Sequence, residues 1–82
     1  MPHLNNCLEI LRRLIAKGDA NGIPLAERAI NEYLEATPVA ARRSGLRLLQ
    51  DGVLKQRDAV VGDRREFAET VNAYIERMLA PP

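Results

Sequence analysis

In four stretches of this 82-residue chain, apolar side chains recur at steps of three and four, and glycine or proline stands between the stretches. That spacing draws a stripe along one side of an α-helix, and no stretch alternates with the period of two that a half-buried strand needs. An isolated helix of about 15 residues is marginal in water, so such stripes have to pack against one another. The fold class is therefore all-α. The reading is a small helical bundle of about four helices, over approximately residues 3–17, 24–36, 38–61 and 63–79, in a single helical domain of residues 1–82.

From His3 to Lys17 the stripe is Leu4, Cys7, Leu8, Leu11, Leu14 and Ile15, widened by Ile10, with Glu9, Arg12, Arg13 and Lys17 on the remaining surface. Basic residues in the last turns suit the negative end of the helix dipole. Gly18 is placed to stop the helix in a left-handed conformation. After the turn-rich Gly18-Asp-Ala-Asn-Gly22, Pro24 suits the first turn of a second helix, where its missing donor has no role. That helix carries Ala26, Ala29, Ile30, Tyr33 and Leu34 on one side and Glu27, Glu32 and Glu35 on the other. Thr37 precedes a proline, which ends the second helix by Ala36, and it reads as the N-cap of the third.

The third stretch is ambiguous. Leu46, Leu49, Val53 and Val60 keep a helical step, but Gly45 and Gly52 lie inside it, each costing about 1 kcal/mol against alanine. Asp51-Gly52 offers a break into two short helices. The apolar step stays in phase across Gly52, which favours one long helix. A strand hairpin at Asp51-Gly52 fails because its flanks do not alternate. Gly62 stops the helix, and Asp63 with Glu66 forms a capping-box pattern opening the fourth. The last stripe, from Phe67 and Ala68 through Val71, Tyr74, Ile75 and Met78 to Leu79, is the cleanest in the chain.

Aromatic residues are confined to Phe67, Tyr33 and Tyr74, so the core has to be aliphatic. A chain this short buries roughly 60–65% of its unfolded surface, and with Cys7 as its one cysteine it has no internal disulfide. Helices of unequal length leave a thin single-chain core, so a homodimer sharing a core is expected at least as much as one closed four-helix bundle. A lone cysteine fits a reducing compartment. The N-terminus lacks a basic segment followed by an apolar run, and no apolar run approaches the roughly 20 residues that cross a bilayer. The expected location is cytoplasmic, with no membrane partner.

A net charge of +1 gives no global pull toward nucleic acid. Locally, residues 38–61 carry Arg42, Arg43, Arg47, Lys55 and Arg57 for a net charge of +3, and the second helix is acidic. The basic stretch suggests an anion or nucleic-acid surface, with Arg42 and Arg43 as the anion contacts, or else a surface screened by the acidic helix beside it. A helix-turn-helix over Pro24 to Leu49 is weaker, because Thr37-Pro38 stands where a glycine-containing turn is usual. His3 and Cys7 are four apart and fit one helix face, but two ligands do not make a zinc site; no metal and no cofactor is expected. No nucleophile-base set, phosphate-binding glycine loop or paired carboxylates in a cleft appears, so no catalytic residue is assigned.

The spacing of Arg12, Asp19 and Arg28 is similar to that of the first helix of all-helical chorismate mutases. The resemblance covers under a third of the chain. It implies a dimeric enzyme whose first helix offers arginines to a dicarboxylate. This chain departs from the family where Gly18 to Pro24 interrupts that helix, and where Val39 occupies a region expected to be basic.

Leu48 adjoins Leu49, Leu54 adjoins Val53, and Val61 adjoins Val60. Neighbours on a helix stand about 100° apart, so one narrow stripe does not hold them all. The leading reading is thus a protein-protein interaction module, a regulator, adaptor or inhibitor, that lays a helix face on a partner or on its own copy. Its interface residues are Leu48, Leu54, Arg47 and Arg57, with Tyr74 and Met78 from the last helix. A nucleic-acid-associated regulator using the basic face of residues 42–57 ranks second, and a small dimeric enzyme third.

Overall fold

The computed structural model describes residues 2–81. Helix α1 runs Pro2–Lys17, α2 Ile23–Glu35, α3 Val39–Ala59 and α4 Asp63–Leu79, with a single 3-10 turn at Ala20–Gly22. No strand occurs among the described residues. The expected four-helix architecture is present, and the third stretch is one helix.

The contacts set the directions of the helices. Leu8, midway along α1, packs on Gly52 midway along α3, and the end of α1 shares a cleft with Ala59 and Val60 at the end of α3, so these two run parallel. Gly22 at the start of α2 meets Phe67 near the start of α4, and Asn31 meets Tyr74 further along both, so α2 and α4 are also parallel. Arg43 near the start of α3 reaches Leu79 at the end of α4. The molecule is thus two antiparallel hairpins, α1–α2 and α3–α4, laid side by side. Helices α2 and α3, although consecutive, lie diagonally across the bundle and meet where Tyr33 crosses Gly45.

One core fills the centre. Leu11, Ile15, Ile30, Leu49, Val53 and Ile75 are its largest fully enclosed side chains. Each contributes on the order of 1.5–3 kcal/mol by leaving water. The total accessible surface is 5295 Å², within about a tenth of the ~4,900 Å² typical of a folded monomer of this mass. The chain therefore closes its core with its own helices.

Both helical glycines are explained by close packing. A Cβ on Gly45 would run into the Tyr33 hydroxyl, and one on Gly52 would lie 2.5 Å from Leu8 Cδ2. The loss of helix propensity is offset by the approach of α2 and α1 to α3.

Three boundary expectations are corrected. Thr37 does not cap α3, whose N-cap is Pro38; instead its buried hydroxyl donates to the Tyr33 carbonyl at 2.6 Å, closing the end of α2. Asp63 does not form a capping box with Glu66, because it is already the first residue of α4. Gly62, at φ 65°, turns the chain sharply enough for the helix to begin there, and the two acids act through their charge at its positive end. Helix α3 ends at Ala59, so Val60 and Val61 are not helical; Val60 is extended and packs on the core, and Val61 is exposed. Paired β-branched residues before a left-handed glycine favour that extended exit.

A candidate docking face on the first hairpin

Helices α1 and α2 pack closely because small side chains lie between them. Cys7, Ala26 and Ala29 are buried, and the Cys7 thiol donates to the Ala29 carbonyl at 3.6 Å. Burial in this apolar seam pushes the thiol up from 9.0 to about 11, so it stays protonated and inert at neutral pH. Small residues in the seam leave its outer side hollow. Two shallow clefts lie end to end along it. One, of about 210 Å³, has His3, Cys7 and Ile10 facing Ala29, Glu32 and Ala36. The other, of about 170 Å³, has Leu14 and Lys17 facing Asp19, Gly22 and Leu25.

The lining follows helical rows. On α1, His3, Asn6, Ile10, Leu14 and Lys17 fall at steps of three and four, and along α2 and its two caps, Gly22, Leu25, Ala29, Glu32 and Ala36 do the same. The centre of this face is aliphatic and its ends are polar. Ile10 is 45% exposed and Leu25 54% exposed. Each helix thus leaves one large aliphatic side chain exposed beside the row that it gives to the core. Ile10 is legible as the residue that widens the α1 stripe. Leu25 is missed by a single-stripe reading of α2, although its four-residue step to Ala29 is the signal that marks it.

The six residues marked as an interface in the sequence do not form one patch. Leu48 is 49% exposed. It lies about 120° around α3 from Leu54, on the α1 flank beside Gly52, whereas Leu54 is half-buried toward α4. Arg47 is exposed and lies only about 20° around the helix from Leu54, and half-buried Arg57 pairs with its neighbour Asp58 at 3.1 Å. Met78 and Tyr74 pack against the core from the opposite flank of α4, facing α2. There the Tyr74 hydroxyl donates to Asn31 Oδ1 at 2.8 Å and Arg77 lies over its ring.

The anion contacts have structural partners. Arg42 Nε donates to the Thr37 carbonyl at 3.0 Å and Arg43 to the Leu79 carbonyl at 2.8 Å, so each guanidinium satisfies backbone at or beside a helix end. Arg12, Asp19 and Arg28 do not converge: α1 stops at Lys17, Asp19 accepts from the Asn21 amide in the loop, and both arginines are exposed on separate helices. Two wider clefts, each about 370 Å³, are at the loop pole, where Asp19, Asp63 and Glu66 line one and Lys17, Asp63 and Arg64 the other. Among the described residues, no group of three side chains is placed to hold a metal ion, and no helix is long and apolar enough to cross a membrane.

No protein-family model matches this chain, and neither a curated protein nor a solved structure matches it.

Proposed function

We propose that this chain is a small binding module, a regulator or adaptor that acts by docking another polypeptide along the outer face of its α1–α2 hairpin. The observation that supports this is the pair Ile10 and Leu25, large aliphatic side chains left about half exposed on a face whose floor is already closed. Scattered exposed aliphatics are ordinary, but two in facing helical rows, bordered by polar ends, have the layout of an interface. The nucleic-acid reading draws less support. Of the five cations in residues 42–57, only Arg47 and Lys55 lack a hydrogen-bond or ion-pair partner among the described residues.

The test is retention of partners from the native host on immobilised protein, wild type beside Leu25→Glu. Any retained protein is then purified and titrated against both forms. Binding that weakens at least tenfold, or about 1.4 kcal/mol, in the variant supports the reading, provided its helical circular dichroism is unchanged. Equal binding by both forms overturns it.

A further inference from the structure

The charges at the two ends of the docking face say what fits it. Its upper cleft has His3 on α1 opposite Glu32 on α2, and its lower cleft has Lys17 on α1 opposite Asp19 just before α2. The α1 side thus offers a nitrogen donor at both ends, and the α2 side a carboxylate at both ends, Glu32 lying also 3.9 Å from the exposed Arg28 of its own helix. Such a pattern is self-complementary under one two-fold axis and not under the other. An axis lying in the face and parallel to the helices sets α1 of one chain on α2 of its copy at the same height. His3 then meets Glu32 of the copy, Lys17 meets Asp19 of the copy, and each pairing occurs twice. An axis in the face but across the helices sets His3 on Lys17 and Glu32 on Asp19, with like character at every end.

We infer that the occupant of this face is a second copy of the chain, docked about the axis parallel to the helices. This rests on the reading of the face as a docking surface and names its partner. Ile10 and Leu25 of each chain then fill the aliphatic centre, and α1 runs antiparallel to α2 of the copy. Size sets the strength. The row from His3 to Lys17 rises about 21 Å at 1.5 Å per residue, and two helices about 10 Å apart make the face about 20 Å wide. An interface of that extent is at the small end of specific ones, so the dimer is weak and reversible. The self-contained core fits a chain that also exists folded as a monomer.

Sedimentation equilibrium from about 1 to about 500 µM tests this. Wild type is expected to pass from monomer to dimer within that range. Leu25→Glu, which puts two carboxylates into the aliphatic centre, is expected to weaken the dimer more than about tenfold. Lys17→Glu gives the direction: it weakens a dimer about the parallel axis, where it faces Asp19, and strengthens one about the other axis, where it faces His3. A wild type that stays monomeric throughout overturns the inference, as does a dimer indifferent to Leu25→Glu or strengthened by Lys17→Glu. A monomeric wild type leaves the docking reading standing if a host protein still binds and still loses affinity with Leu25→Glu.

Discussion

At the scale of the residue, Tyr33 and Gly45 are the tightest point in the bundle. The Tyr33 hydroxyl is buried without a hydrogen-bond partner, and it lies where a Cβ on Gly45 would be. Glycine to alanine inside a helix ordinarily gains about 1 kcal/mol. Here the added methyl forces a shift of ring or helix, a cost of about 1–3 kcal/mol. Gly45→Ala is therefore expected to lower stability in urea unfolding, against its propensity. Tyr33→Phe removes the unpaired hydroxyl and should be neutral or stabilising by up to about 1 kcal/mol. In the double variant part of the Gly45→Ala loss should return, a coupling that two independent sites do not show. A more stable Gly45→Ala single variant is the result that counts against this contact. Cys7 gives a second residue-scale prediction. Its pKa rises from 9.0 to about 11 on folding because burial disfavours the thiolate. Its stabilising contribution is complete below pH 9 and is lost as pH rises through 11, with a slope approaching about 1.4 kcal/mol per pH unit. The readout is the difference between wild type and Cys7→Ala. At pH 7 the variant should be the less stable, and by about pH 10.5 the gap should narrow; a gap independent of pH excludes the linkage.

At the scale of the element, both hairpin turns rest on a left-handed glycine, and they are not equivalent. Gly18 and Gly62 share φ 65°, but a Cβ on Gly18 would lie 2.9 Å from Arg64 Cγ and 3.1 Å from its backbone nitrogen, whereas nothing stands near Gly62. Gly62→Ala bears only the conformational cost of its φ 65°, ψ −136° backbone, about 1–3 kcal/mol. Gly18→Ala also displaces the start of α4 and should cost more. Thermal or urea melts of the two variants decide it, and equal losses would mean that the Gly18–Arg64 contact does not hold the hairpins together. Periodicity and punctuation make these elements readable in the sequence, and the four expected ranges agree with the helices to within a few residues. What they did not reveal was where polar groups at the ends would turn. Thr37 reads forward as a cap for α3 but bonds back to α2, because its hydroxyl is buried against the Tyr33 carbonyl. Arg42 and Arg43 read as free cations for the same reason: the carbonyls they reach, Thr37 and Leu79, are placed by tertiary packing.

At the scale of the whole molecule, the stripes foretold that the helices pack but not which pairs touch. Helices joined by short loops are usually antiparallel neighbours, yet α2 and α3 lie across the diagonal and α1 finds α3 in parallel. Gly45 and Gly52 are the sequence trace of this, since each marks where another helix comes close. The candidate face was half legible. A surplus of apolar positions beyond one stripe was visible on α3, where Leu48 and Leu54 end on separate flanks. The equivalent surplus on α1 and α2 reads as a face only once the two rows are known to lie side by side.

That layout also frees the chain from its own order. His3 lies beside Ala36, and Arg43 beside Leu79, so the start of α1 and the end of α4 emerge at one pole together with the α2–α3 turn. A short tether between those two helix ends closes at little entropic cost, and Gly62, surrounded by open space, offers a point to cut. A circular permutant that begins with α4 and continues into α1 keeps every packed surface. The bundle is specified by which faces meet, and the order in which a ribosome delivers the helices is a separable property.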